Sequence, residues 1–309
     1  MTSDDNGYVD LQVNGYGGVD FNADELPAEA ASAVCERLRD DGVSGILATV
    51  VTDEIDVMCR RLANIRRACD ADRRVREMIW GIHIEGPFLN DQPGYIGAHP
   101  AQAARPADID TMQRLLDAAG GLTRMVTLAP ERDDQAQVTR MLADQGIRIS
   151  AGHTSATLDD LHRGIDAGLS MFTHLGNACP KLLPRHDNII EWVLSLADHL
   201  YVGFIADGIH VPFPALGNYL KCCGLDHAYI VTDAIAAAGL GPGNYKLGQR
   251  PVVVDENLAT WAADRSHLIG SAGTMAMSAG NLRTALGYRD EQVDQLMKQT
   301  PRTILGSDT

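Results

Sequence analysis

No run of about 18 apolar residues occurs in this chain, which argues against a membrane-spanning helix. Its start, Met1 to Gly7, has neither a basic n-region nor an apolar h-region, so a cytoplasmic protein is expected. Positive charge is scarce: 26 Lys and Arg stand against 41 Asp and Glu, a formal net charge of −15, and the basic residues cluster nowhere. Nucleic acid binding needs such clusters, so no nucleic-acid partner is expected, while a small anionic ligand is compatible. The six cysteines (Cys35, Cys59, Cys69, Cys179, Cys222, Cys223) form no C-x-x-C pair, and adjacent Cys222 and Cys223 are poorly placed to bridge each other, so reduced thiols are expected. There is no internal repeat, linker or low-complexity stretch, and residues 1–309 read as a single domain.

What is present is the composition of an ordinary globular protein, 45% hydrophobic and 22% charged. Eight short apolar, β-branched runs recur: Tyr8–Gly15, Gly45–Val51, Met78–Glu85, Arg124–Pro130, Arg148–His153, Met171–Leu175, Tyr201–Asp207 and Ala228–Asp233. Amphipathic segments lie between them, at Pro27–Asp41, Ile55–Ala71, Asp108–Ala118, Asp133–Gln145, Leu158–Ala167, Asn188–Leu196 and Pro212–Cys223. Strands apolar on both faces and joined by helices imply a closed parallel sheet ringed by helices, an α/β fold of the (β/α)8 TIM barrel type. After the eighth run, Tyr245–Ala263 reads as a small β-hairpin insertion. A helix then begins near Gly273, and the tail Asp290–Gly306 reads as one more helix followed by the turn TPRTILG.

Chemistry in such a barrel sits at the C-terminal ends of the strands. Here the first run ends in Gln12 and Asn14, the third in Glu85, the fifth in His153, the sixth in His174, the seventh in Asp207 with His210 beyond it, and the eighth in Asp233. Singly, each could serve an ordinary structural purpose, and a helix cap would suffice for Asp207 and Asp233. Together they suggest one polar site, because an ionisable group closing an apolar strand is costly to bury alone. Glu85, His153 and His174 supply the donors of a catalytic metal site with a position left for water. One divalent ion there would acidify water towards pKa ~7 and polarise a carbonyl. Asp233 would serve as general base and then general acid.

The segments GIHIEGPFLN (81–90), GAHP (97–100), LAPE (128–131), AGHTSAT (151–157), THLGNA (173–178), ADGIHV (206–211), VTDAIAAAG (231–239) and LIGSAGTM (268–275) resemble, in order and spacing, the motif series of the N-acetylglucosamine-6-phosphate deacetylase family of metal-dependent amidohydrolases. The resemblance runs from about Tyr8 to Leu305. It implies Glu85, His153 and His174 as metal ligands, Asp233 as the catalytic acid/base and His99 as the group that polarises the substrate carbonyl. It further implies substrate contacts from Ala98, His99, Asn177, Ala178, Arg185, Asp207, His210, Leu268, Ile269 and Gly270. The activity so implied is hydrolysis of the N-acetyl amide of a small phosphorylated amino sugar, most simply N-acetylglucosamine 6-phosphate to glucosamine 6-phosphate and acetate, and the assembly a homodimer in which Arg185 can reach across the interface. The ion is expected to be zinc, although a His2Glu donor set also accepts iron or another divalent ion.

Three departures qualify these expectations. Where many amidohydrolases carry H-x-H and bind two metals, the first strand here reads Gln12-Val13-Asn14; amides are poor ligands, so one metal is expected, with Gln12 and Asn14 behind it. The small β-sandwich built from the chain ends in family members is expected to be missing or vestigial. The family's aromatic after His-Leu, its Met after Asn-Ala and its R-E-P-G turn are replaced by Gly176, Cys179 and Arg185-His186-Asp187, which puts the sugar identity in question. Two alternatives stand beside the leading reading. One is a deacylase of a different N-acyl amino sugar or amine conjugate; the other is a non-catalytic barrel that binds a sugar phosphate. Turnover of phosphorylated against unphosphorylated sugar separates the first, and the presence of Asp233 weighs against the second.

Overall fold

In the computed structural model, which describes residues 6–306, the apolar runs become eight parallel strands of one sheet. In chain order these are β1 (Tyr8–Val13), β2 (Val43–Val51), β3 (Ile79–Glu85), β4 (Thr123–Leu128), β5 (Arg148–Ala151), β6 (Leu169–Phe172), β7 (Tyr201–Ile205) and β8 (Ala228–Val231). Each pairs with the next, and Glu85 stands in register with Val51 on one side and Thr127 on the other. The first and last strands meet through Val13 and Ala234, whose carbonyl accepts from the Asn14 and Gly15 amides at 2.8 and 3.1 Å, so the sheet comes close to a full barrel.

The helices outside are α1 (Ala28–Asp40), α2 (Ile55–Ala71), a short α3 (Arg73–Met78), α4 (Ile109–Ala119), α5 (Gln137–Asp144), α6 (Leu158–Asp166), α7 (Ile189–Ser195), α8 (Phe213–Cys223) and α9 (Met275–Thr284). Their starts follow from local chemistry. Asp108 accepts from the Thr111 amide at 2.8 Å to cap α4, Asn188 caps α7, and Thr157 with Asp160 forms a reciprocal capping box on α6. Their apolar faces bury a continuous shell against the barrel, including Leu38, Leu62, Leu115, Leu161, Leu216 and Leu282. A separate cluster of Leu11, Leu47, Met125, Met171, Tyr229 and Val231 fills the barrel interior, as the layered core of this fold requires. None of the helices among the described residues is long and apolar enough to cross a membrane.

Three expectations are corrected here. Strands β5, β6 and β8 stop short of the polar residues that close their runs, because His153, His174 and Asp233 adopt left-handed backbone at φ 52°, 31° and 52° and cannot continue a ladder. The insertion after β8 is a three-stranded antiparallel sheet rather than a simple hairpin: β9 (Gly243–Leu247), β10 (Arg250–Val254) and β11 (Thr260–Ala262). The stretch TPRTILG is helical over Thr300–Leu305 (α11), continuous with α10 (Asp290–Asp294) through a π-helical turn. Ile304 and Leu305 pack into the interior cluster, and Arg148 and Arg124 donate to their carbonyls at 2.5 and 2.8 Å, so the tail closes the floor of the barrel.

Candidate active site

At the opposite mouth, a cavity of about 650 Å³ opens where the strand ends converge. Its wall includes Asn14, Glu85, His99, His153, His174 and Asp233. One oxygen organises them. Glu85 Oε1 lies 3.3 Å from His153 Nε2, 3.2 Å from His174 Nε2 and 3.0 Å from the donating Gln12 Nε2. His99 approaches the other oxygen, Oε2, at 3.8 Å. Glu85 and all three histidines are buried.

The donor set fits a divalent cation. His153 Nδ1 sits 3.0 Å from the Tyr95 carbonyl, which can only accept, so Nδ1 carries a proton; in that tautomer Nε2 turns its lone pair towards Glu85. A lone pair facing a carboxylate oxygen at 3.3 Å calls for a cation between them or a protonated ring. Ligand atoms of Glu85, His99 and His153 all lie within 4.8 Å of one another. His174 approaches Glu85 Oε1 at 3.2 Å but lies outside that mutually close set.

Gln12 and Asn14 order the carboxylates. Gln12 accepts from Thr173 Oγ1 at 2.6 Å, which turns its amide nitrogen towards Glu85 and, at 3.2 Å, towards Asp233 Oδ1. Asn14 Nδ2 donates to the same Asp233 oxygen at 2.7 Å. A register shift in β1 between Asp10 and Val13 accompanies this departure from strict alternation, so that Leu11 fills the interior while Gln12 and Asn14 both serve the mouth.

Electrostatics separates the two acids. Burial disfavours charge on Glu85, yet hydrogen bonds from His153 and His174 and the nearness of His99 hold its carboxyl well below the usual range. Burial and the Glu85 charge push Asp233 up to about 6. His99 is held well below the usual histidine range, first by burial and then by His153, which keeps its ring neutral. For His174, burial is outweighed by the hydrogen bond and charge of Glu85, and its pKa rises. A carboxylate kept ionised beside one poised near neutrality is the division of labour that hydrolytic acid/base chemistry needs.

No protein-family model matches the chain. The N-acetylglucosamine-6-phosphate deacetylase of Bos taurus is 33% identical to it over 307 residues, covering 97% of this chain and 74% of the bovine enzyme. The chain belongs to the N-acetylglucosamine-6-phosphate deacetylase family, whose members are hydrolytic enzymes. An N-acetylgalactosamine-6-phosphate deacetylase of Escherichia coli O157:H7 is 28% identical over 302 residues, covering 97% of this chain and 78% of that enzyme. Among solved structures, an aspartate-to-alanine mutant of the Mycobacterium smegmatis N-acetyl-D-glucosamine-6-phosphate deacetylase, in complex with N-acetyl-D-glucosamine-6-phosphate, superposes with a TM-score of 0.88 at 29% identity, covering 97% of this chain and 77% of that one.

Of the residues that the family motifs imply for substrate contact, Ala98, His99, Asn177, Ala178, His210, Leu268 and Gly270 line the cavity. Asp207 stands behind His210: it accepts from His210 Nδ1 at 2.6 Å and from the Ile209 and His210 amides, which orients His210; it caps no helix, since α8 begins only at Phe213 after Pro212. Ile269 is buried in the apolar cluster under the β9–β11 sheet. Arg185 is exposed on the loop before α7 and is not part of the lining. Sequence reasoning missed Lys181, Leu247, Trp261, Ser266 and His267 on the wall. His267 directly precedes the LIGS strip and could have been found from it; Leu247 and Trp261 arrive on the insertion, which carries no motif.

Proposed function

We propose that this enzyme hydrolyses the N-acetyl amide of N-acetylglucosamine 6-phosphate to glucosamine 6-phosphate and acetate, with one divalent metal ion held by Glu85, His153 and His174. The observation that carries this reading is the meeting of Glu85 with both imidazoles at one wall and of Asp233, tied in through Gln12, beside them. His174 is preferred to His99 as third ligand because it addresses the same carboxylate oxygen as His153, whereas His99 stands 3.8 Å from the other oxygen. A divalent cation, zinc in the first instance, would supply Lewis-acid polarisation of the amide carbonyl and acidify the attacking water.

The protein's own residues do the rest. Neutral His99, at the wall, donates an N–H to the amide oxygen as negative charge develops there. Asp233, as carboxylate, takes a proton from water as its oxygen bonds to the carbonyl carbon. It then returns that proton to the nitrogen as the C–N bond breaks, so that amine and acetate leave. Asn14 and Gln12 hold Asp233 Oδ1 and so orient the carboxylate, leaving its other oxygen to carry the proton. His210, oriented by Asp207, and Asn177 offer polar groups to the sugar and its phosphate.

Residues 1–309 are proposed to work as one barrel unit in a cytoplasmic homodimer. Support for the dimer is that Arg185 and the 92% exposed Leu182 project from the same loop, outside their own cavity. A second reading, a different N-acetyl amino sugar phosphate, is favoured by Gly176 and Cys179 on the wall and by the likeness to an N-acetylgalactosamine-6-phosphate deacetylase. Acetate release from the two 6-phosphates and from unphosphorylated N-acetylglucosamine decides: the glucosamine phosphate is expected to be turned over fastest, and equal rates with and without phosphate would overturn the proposal.

A further inference from the structure

We infer that Arg250, on the inserted β9–β11 sheet, is a positioning residue that sets the placement of His99. The inference rests on the deacetylase reading for its effect on rate, and its structural half is independent of it.

Arg250 opens β10 and reaches back to the barrel, where its Nη1 donates to the carbonyl of Ala98, the residue next to His99. The methyl group of Ala98 packs on the apolar cluster of the same sheet, with Leu247, Val252 and Ile235. The 97–99 loop is therefore held to the insertion at two points, one polar and one apolar. The loop needs holding: Gly97 has left-handed backbone at φ 59°, and a Cβ there would stand 3.2 Å from the His153 ring, so its path passes tightly under the proposed ligand set. Local bonding is slight, since His99 N donates to the Ile96 carbonyl at 3.2 Å and His99 Nδ1 has no partner among the described residues.

The turn that carries Arg250 is itself fixed to the barrel. Gly248 N donates to Asp20 Oδ2 at 2.5 Å, and Gln249 Nε2 to Asp24 Oδ2 at 3.3 Å. Arg250 is thus a charged donor mounted on a pinned turn and aimed at one carbonyl. Charge-assisted hydrogen bonds of this kind fix geometry more firmly than neutral ones. Because Arg250 is not on the cavity wall, it touches neither substrate nor reacting atoms and acts through the loop.

The test is a double-mutant cycle on the metal-loaded enzyme, with Arg250→Met, Arg250→Lys, His99→Asn and the combinations, reading kcat and KM for N-acetylglucosamine 6-phosphate. Arg250→Met is expected to lower kcat roughly 10- to 100-fold with KM nearly unchanged, the cost of a small misplacement of a reacting group. Lysine should restore part of the rate. In the His99→Asn background the same change should have almost no further effect, because residues acting through one another are not additive. Equal losses in both backgrounds would overturn the inference, as would an unchanged kcat in Arg250→Met. If the methionine variant fails to fold, the lysine variant carries the same cycle. Independently of turnover, imidazole NMR signals of His99 should shift in Arg250→Lys while those of His210 stay; unmoved His99 signals refute the structural half even if the wild-type enzyme proves inactive on this sugar.

Discussion

Asn14 Nδ2 donates to Asp233 Oδ1 at 2.7 Å, joining the end of the first strand to the end of the eighth. The bond leaves the other Asp233 oxygen available to the cavity. Asp233→Asn removes the proton acceptor and is expected to lower kcat at least about 100-fold, the usual worth of a positioned acid/base group, with the metal content unchanged. Steady-state acetate release and elemental analysis on the same sample check this; a rate within a few-fold of wild type would sink the assigned role.

The same carboxyl should show in the pH profile. Its pKa is raised to about 6, and the base is the ionised form, so protonation below that pH removes activity. The ratio kcat/KM is expected to fall about tenfold per pH unit below 6 and to level off above it. Asn14→Leu, which removes a donor that favours the charged form, should move this limb to higher pH. A limb that stays in place in Asn14→Leu contradicts the link.

Metal loading should follow the ligand set. His153→Ala and His174→Ala are expected to lose bound metal, and His99→Ala to keep it while losing rate. Binding to the folded state alone stabilises it by mass action, so a chelator should lower the thermal midpoint of wild type and leave that of His153→Ala where it is. Retention of a full equivalent by His174→Ala together with its loss from His99→Ala would exchange the roles proposed for these two residues.

Asp10 gives a prediction about stability rather than rate. It is buried, accepts from Thr232 Oγ1 at 2.5 Å, and burial raises its pKa to about 7. Between the unfolded value near 3.8 and about 7 the folded chain holds a proton that the unfolded chain does not, so stability falls as pH rises through this window. From about pH 5 to about pH 8 the contribution of Asp10 amounts to on the order of 2 kcal/mol. Asp10→Asn should abolish that share of the slope in urea titrations at the two pH values. An unchanged slope would place the proton on a different group.

The barrel was legible because its strands are buried on both faces and helices α4, α6, α7 and α9 carry ordinary caps, so period and punctuation agree there. The ligand set and Asp233 were legible because burying an ionisable residue at the close of an apolar run is costly unless a site repays it, and several runs closed in this way. Two kinds of feature were not. The positive φ angles of His153, His174, Asp233 and Ala178 have no sequence signal, since glycine would mark them but the side chains serve the site; each such residue costs on the order of 1–3 kcal/mol. The wall contributed by the insertion was also hidden. Leu247, Trp261 and Arg250 lie in a segment whose alternation announces a sheet but says nothing about which part of the barrel it will cover.

The most direct test is acetate release from N-acetylglucosamine 6-phosphate by the metal-stripped protein before and after one equivalent of divalent ion is restored. Negligible release by the stripped protein is expected, with recovery that saturates at one ion per chain. Full activity without metal, or none at any metal loading, would contradict the proposed hydrolysis.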